Sequence, residues 1–346
     1  MPRLEIKYAR TLNQRTGQEP PFRVAFLVIP GFSLMALSSA IEPLRSLNRH
    51  VGEVRYEWFL IGEAAGTVAA SNGLVLQASY GINDAPSADL TVVVASLYIE
   101  AFHDRSVFAF LRRVRAQRRL IGAISTGSLL LARAGLLTGR RVTIHWEFGP
   151  LLAEEFPGVD VCRALYCRDG DIMTAGGGTA ALDMMLDLIA SRDGRTAASS
   201  VADQFLYGRL RPGDELQRDD VRWRYQLTDR RIEAAIRIME AALSTPLRIA
   251  QIADAANISE RQLERLFLTN LGMSPSDFYM DLRLTAARSR LLHSSDTLEE
   301  IAVSMGFSSQ AHFSRAIKAW CGESPLTLRM RRRQVVGSVQ KDVGRP

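Results

Sequence analysis

Hydrophobic and polar positions along the chain fall into two regimes. Between residues 22 and 193, short apolar runs alternate with longer stretches of helical period. FRVAFLVIP (22–30), YEWFLIG (56–62), ADLTVVVAS (88–96) and RLIGAIS (119–125) are β-branched or almost wholly apolar. That is the pattern of parallel strands buried on both faces. SLMALSSAIEPLRSLN (33–48), SVFAFLRRVRAQ (106–117) and GSLLLARAGLL (127–137) predict helices; RRVTIHW predicts a further strand and FGPLLAEEF a further helix. CRALYCRDGDIMTA (162–175) predicts a hairpin turning at Arg168-Asp169-Gly170, and Gly176-Gly177-Gly178 opens a helix over TAALDMMLDLIASRDG. Alternation of this kind predicts a doubly wound α/β sandwich, whose ligands sit beyond the carboxyl ends of the strands.

After Gly194 the strand pattern stops. A helix near 195–210 leads into RLRPGDELQRDD (209–220), which reads as a linker from its Pro, Gly and mixed charges. From Asp229 onward the pattern is helical throughout. Two segments there resemble each other: LRIAQIADAANISERQLERLF (247–267) and LEEIAVSMGFSSQAHFSRAIK (298–318). Each starts a short helix at an Ile-Ala pair, reaches a residue tolerant of left-handed geometry (Asn257; Gly306), and continues through an apolar anchor (Ile258; Phe307) and serine (Ser259; Ser308-Ser309). A second helix follows, with Leu263, Leu266 and Phe267, or Phe313, Ala316 and Ile317, turned inward. Helix, tight turn, serine cap and second helix is the helix-turn-helix plan. The opposite face then presents Arg261, Gln262, Glu264 and Arg265 in the first copy, and Ser309, Gln310, Ala311, His312 and Arg315 in the second. Arginine forks and amides make bidentate contacts with guanine and adenine edges. An isolated copy would read as a mere αα-hairpin; two copies on the basic region point to DNA binding.

Charge separates the same two regions. The 346 residues hold 43 Lys+Arg against 37 Asp+Glu. From Val221 onward there are 19 basic against 13 acidic residues, so the remainder carries 24 of each and nets zero. A basic helical module on a neutral α/β module points to a polyanion partner. Three cysteines (Cys162, Cys167, Cys321) form neither a disulfide framework nor a CxxC pair and read as packing residues in a reducing cytoplasm. The five histidines are scattered without metal-ligand spacing, so no metal and no cofactor is expected. The polar, mixed-charge N-terminus is not a secretion signal, and no apolar stretch is long enough to span a membrane.

IAVSMGFSSQAHFSRAIKAWCGESPLTLR (301–329) resembles the signature of AraC/XylS-type regulators, closing in Gly322, Ser324-Pro325 and Arg329. The first copy likewise closes in Gly272 and Ser274-Pro275. The resemblance implies two helix-turn-helix units, joined by a helix around Phe278–Leu292, that enter successive major-groove segments of double-stranded DNA. The trailing Arg331-Arg332-Arg333 would then touch phosphate or lie in a solvated tail. Residues 22–193 resemble the PfpI-like, class I glutamine amidotransferase-like superfamily, whose fold is flavodoxin-like. Three stretches carry that likeness: SSAIEPLRSLN with Glu42, AISTGSLLLARAGLLTGRR, and VTIHW with His145. The pairing of the two modules is that of GlxA-type transcription regulators. It implies a small-molecule effector, a homodimer, and contact with RNA polymerase if the protein activates. The organisation expected is a flexible segment over 1–21, a ligand-sensing domain over 22–193, helix and linker over 194–228, a DNA-binding domain over 229–333 and a flexible tail over 334–346.

In enzymatic relatives the strand-to-helix elbow carries a cysteine; here it is Ser125. A helix start ionises a thiol but leaves a serine hydroxyl protonated, so serine needs an aligned base and an orienting acid. His145 follows Ser125 by only 20 residues, unlike the long interval of hydrolase order, and spacing selects neither Glu42 nor Glu147 as acid. A PfpI-like hydrolase or amidase using Ser125 and His145 is therefore the alternative, and a sensor without catalysis the main reading. Backbone amides near Thr126-Gly127 suit a carboxylate, Glu42 suits a cation, and Trp58, Tyr98, Trp146 and Phe148 suit an ammonium face. For each aromatic, core packing is the competing reading. The ligand expected is a zwitterion, an amino acid or a betaine- or carnitine-like quaternary amine, at Glu42, Ser125, Thr126, His145 and Trp146.

Overall fold

The computed structural model describes residues 20–330 apart from 98, 100, 101, 218–220 and 295, together with the backbone but not the side chains of 222, 223 and 293. The segment 1–19, Tyr98, Arg331-Arg332-Arg333 and the tail lie outside the described residues. The chain divides into two compact units, Met1–Gln217 and Arg218–Pro346.

The first unit is built on a seven-stranded sheet ordered β10-β11-β7-β6-β1-β2-β5. Its strands are β1 (Phe22–Val28), β2 (Tyr56–Gly62), β5 (Tyr80–Gly81), β6 (Leu90–Ala95), β7 (Leu120–Ser125), β10 (Tyr166–Asp169) and β11 (Ile172–Ala175). All pairings are parallel except β10 with β11 at one edge. Period-2 geometry sends alternate residues to opposite faces. On β1, Val24, Phe26 and Val28 enter one core while Ala25 and Leu27 enter the other. The first core is closed by α1 (Leu34–Val51), α5 (Ala180–Asp193) and α6 (Arg195–Gln204); the second by α2 (Arg105–Ala116), α3 (Gly127–Arg133) and α4 (Gly149–Glu155). Both faces are covered, which is why these strands lack polar alternation. Because β2 and β6 lie on opposite sides of β1, chain connections leave β1 in both directions, the switch point at which sheets of this kind place a ligand crevice beyond the carboxyl ends of their strands.

Two details depart from the sequence pattern. RRVTIHW extends only over β8 (Arg141–Thr143), which pairs in parallel with β9 (Asp160–Cys162) in a separate two-stranded sheet. A hairpin of β3 (Gly66–Ala69) and β4 (Val75–Ala78) was not expected; only Val68 and Ala78 of its strands are buried, so its apolar signal is thin.

Residues 209–217, linker-like in composition, are bound to the α/β unit. Arg211 pairs with Asp183 at 2.6 Å, and Asp183 is 2% exposed. Leu165 N donates to Glu215 O at 2.7 Å and Gln217 N to Arg163 O at 3.0 Å. The Gln217 side-chain amide lies 2.7–2.9 Å from Thr143 Oγ1, Ile144 O and Ala164 O. The strap is thus tied to the fold through Arg211, Gln217 and the strap backbone, while Arg209 pairs with Glu215 within it.

The second unit is helical: α7 (Val221–Arg224), α8 (Arg230–Ala241), α9 (Ile249–Ala255), α10 (Glu260–Leu271), α11 (Pro275–His293), α12 (Leu298–Ser304) and α13 (Gln310–Cys321). It holds two separate cores. Ile252, Leu263, Phe267 and Phe278 belong to one; Leu284, Ile301, Phe313 and Ile317 belong to the other. The long helix α11 contributes to both.

Candidate functional site

The two copies in the second unit share their turn geometry. Ala256 N donates to Ile252 O and Ile258 N to Ala253 O; in the second copy Met305 N donates to Ile301 O and Phe307 N to Ala302 O. The hinge residues Asn257 (φ 56°) and Gly306 (φ 68°) are left-handed, as the turn demands. A side chain on Gly306 would also strike Pro246. Ser259 caps α10 and Ser309 caps α13, each accepting from the backbone N–H three residues on, at Gln262 and His312. Both helices end at left-handed glycines, Gly272 and Gly322.

With Leu263, Leu266, Phe267, Phe313 and Ile317 buried, the opposite faces are exposed. Arg261, Arg265, Gln310 and Arg315 stand on them in solvent, and the three arginines make no ion pair among the described residues. Two expected contacts carry local duties instead. The Gln262 side chain accepts from Ser259 N at 2.9 Å, completing a capping box, and His312 Nδ1 lies 3.2 Å from Ser308 Oγ. Ser309 is occupied as the cap.

What fixes the second copy to the connecting helix had no signature in the sequence. Arg283 of α11, 9% exposed, donates through Nε to Met305 O at 2.8 Å and through Nη2 to Gly306 O at 2.7 Å. Its guanidinium lies 4.5 Å from the ring centre of Phe307. The chain thus clamps the second turn onto the connecting helix.

In the first unit the elbow is present. Ser125 ends β7 at φ 60°, a conformation costly for a residue with a side chain, and is 4% exposed. Gly177 (φ 106°) closes over it: a Cβ there would stand 2.9 Å from Ser125 Cβ. The glycine run was legible as a helix opening, and its second role as the seat of the elbow was not. His145 N donates to Ser125 O at 3.3 Å, so the predicted neighbours meet through their backbones. His145 Nδ1 lies 3.6 Å from Glu147 Oε2, and the rings of His145 and Trp146 are 5.5 Å apart. Trp146 is 38% exposed.

The other expected ligand groups sit differently. Thr126 is buried, its N–H donating to Ala95 O and its hydroxyl to Ser96 O at 2.9 Å, so it braces the elbow against β6. Glu42 is half-exposed on α1 and pairs with Arg45 at 2.7 Å. Phe148 is a core residue and Trp58 packs against the other core. Among the described residues no group of three or more His, Cys, Asp or Glu is placed to hold a metal ion, and no helix is long and apolar enough to cross a membrane.

A strained strand-to-helix elbow on a doubly wound sheet, followed by paired helix-turn-helix units, defines a DNA-binding regulator with a DJ-1/PfpI-type domain. Residues 22–191 match the DJ-1/PfpI family and residues 252–331 match the helix-turn-helix domain family. Over 300 residues the chain is 38% identical to the HTH-type transcriptional regulator CdhR of Pseudomonas aeruginosa, covering 87% of this chain and 89% of that protein. It is 37% identical over 310 residues to the HTH-type transcriptional regulator GlxA of Rhizobium meliloti, covering 89% and 96%. The isonitrile hydratase of Pseudomonas putida is 31% identical over 193 residues, 56% of this chain and 81% of that enzyme. The enzyme likeness covers little more than half the chain, whereas the regulators match it nearly end to end. The chain belongs to the GlxA-type family of helix-turn-helix transcriptional regulators.

Proposed function

We propose that this regulator senses a small zwitterion in the crevice above Ser125 and, as a homodimer, activates transcription through RNA polymerase. The observation that carries the sensing half is the elbow itself. Ser125 keeps its left-handed backbone, backed by Gly177, although the residue there lacks the ready ionisation of a thiol. Strain of this kind persists where a site uses it. Ser125, His145 and Trp146 would face the ligand, with the indole covering an ammonium group; Thr126 would hold the elbow in place. Glu42 would reach a cation only by leaving Arg45. Cytoplasmic residence on DNA follows from this role.

DNA is read by α10 and α13 through Arg261, Arg265, Gln310 and Arg315. Arg265→Ala and Arg315→Ala are each expected to weaken operator binding by about 1–3 kcal/mol if the contact is bidentate to a base. Calorimetry with amino acids, betaine and carnitine beside their uncharged analogues tests the ligand class, and footprinting with and without the binder tests the coupling. Equal binding of both sets, or an unaltered footprint, would end the sensing proposal. Turnover lost in Ser125→Ala with DNA binding intact would favour the hydrolase alternative.

A further inference from the structure

Cys162 and Cys167, read from the sequence as packing residues, line the wall of a cavity. Cys162 ends β9, where it pairs with Thr143 of β8, and Cys167 of β10 turns its thiol to the carbonyl of Arg141 on the same β8 strand, so the fold brings both thiols to β8, close enough to bias each other's ionisation. Both are half-buried free cysteines on the wall of one cavity of about 480 Å³, shared with Arg141, Arg168, Tyr166 and Asp187. The bend between them is pinned: Thr143 Oγ1 lies 3.2 Å from Cys162 O and 2.7 Å from Ala164 O. Cys167 Sγ lies 3.3 Å from Arg141 O. The neighbouring Cys167 thiol, helped by the Arg141 guanidinium, holds the Cys162 thiol below the usual cysteine range, while the same closeness and burial push Cys167 up. One thiol is thus prepared to ionise beside another that keeps its proton, which is the division of labour between an attacking and a resolving cysteine.

We propose that Cys162 and Cys167 are a reversible oxidation site that closes to a disulfide on reaction with a hydroperoxide. The Cys162 thiolate attacks one peroxide oxygen; the O–O bond breaks, Cys162 becomes a sulfenic acid, and the departing hydroxide takes a proton to leave as water. Cys167 sulfur then attacks Cys162 sulfur. The S–S bond forms, the S–O bond breaks, and the hydroxyl leaves as a second water with the Cys167 proton. Two electrons pass from the thiol pair to the peroxide, and a dithiol reductant reverses the change by exchange. The bond would form beside the strap, because Gly213 borders the same cavity and its carbonyl accepts from Tyr166 N.

The full-length protein supplies its own control, since Cys321 lies in the other unit, at the end of α13. Reduced protein is treated with graded hydrogen peroxide, its thiols are counted, and tryptic peptides are mapped by mass. Cleavage after Arg141, Arg163 and Arg168 puts Cys162 and Cys167 on different peptides, 142–163 and 164–168. The expected result is a fall from three free thiols to one, a single linked pair of those two peptides lighter by two hydrogens, and full return of thiols with dithiothreitol. Cys167→Ser is expected to leave Cys162 as a sulfenic acid that dimedone traps. Cys162→Ser is expected to leave Cys167 a thiol at a peroxide dose that oxidises half the wild-type protein. Linkage through Cys321, or Cys162 advancing to sulfinic acid while Cys167 stays a free thiol in the wild-type chain, would overturn the proposal.

Discussion

Replacing Arg283 with methionine removes the buried cation that clamps the second helix-turn-helix unit to α11 while keeping most of the aliphatic stem. The guanidinium serves two carbonyls, Met305 O and Gly306 O, at the end of α12, and stacks on Phe307. Hydrogen bonds to a charged group contribute about 1.5–3 kcal/mol each, and a desolvated cation–π contact about 1–2 kcal/mol. Against this stands the cost of burying the charge, which pulls the Arg283 pKa downward, with no carboxylate among the described residues paired to it. Methionine recovers that cost and leaves two carbonyls without their donor. The balance is a loss of about 2–4 kcal/mol. For a unit spanning Arg218–Pro346 each kcal/mol moves the melting temperature by roughly 4 °C, so the thermal transition raised by added duplex DNA is expected to fall by about 8–16 °C. Scanning calorimetry of the full chain measures it. Arg283→Lys, which lacks the planar fork, is expected to fall between. A drop below about 3 °C for Arg283→Met, on the size scaling above, with unchanged affinity for DNA, would refute the clamp.

Three further outcomes are expected. Gly177→Ala places a methyl against Ser125 Cβ at a positive φ and is expected to destabilise the first unit by about 2–4 kcal/mol in urea titration; an unmoved midpoint would mean the elbow has room. Arg211→Met leaves Asp183, whose side chain is 1% exposed, with the Tyr207 hydroxyl but no cation, and is expected to cost about 2–4 kcal/mol, less than for a charge left wholly unpaired, with Asp183→Leu in the same chain restoring part of it. The Asp104 carboxylate beside the exposed Glu63 raises the Glu63 carboxyl to about 7, with a lesser part from desolvation, while Glu63 and the N–H groups of Ser106 and Val107 hold Asp104 well below the carboxylate range. A raised acid stabilises the fold while protonated, so its contribution is full below the ordinary glutamate range and is lost as pH rises through about 7. Asp104 contributes in the opposite sense, above the ordinary aspartate range. Urea midpoints compared between pH 5 and 8 are expected to fall in the wild type relative to Glu63→Gln, which keeps a donor at every pH; parallel curves would show that the pair shares no proton.

Sequence alone determined what is set by neighbours a few residues apart. The helix-turn-helix copies were legible because every requirement is local: a left-handed hinge at Asn257 or Gly306, a serine cap, and apolar residues returning at helical spacing. The doubly buried strands were legible for the same reason, since period and composition act within a single run. The elbow at Ser125 was legible as a strand meeting a helix. Tertiary structure decided the rest, because its partners are far apart in the chain and become neighbours only when the sheet and helices close. Gln217 reaches Thr143, Arg211 finds Asp183, Arg283 finds the turn at Gly306, and Gly177 seats Ser125. No period or motif marks such meetings. They are fixed by where the backbone leaves a buried carbonyl, carboxylate or strained residue in need of a partner.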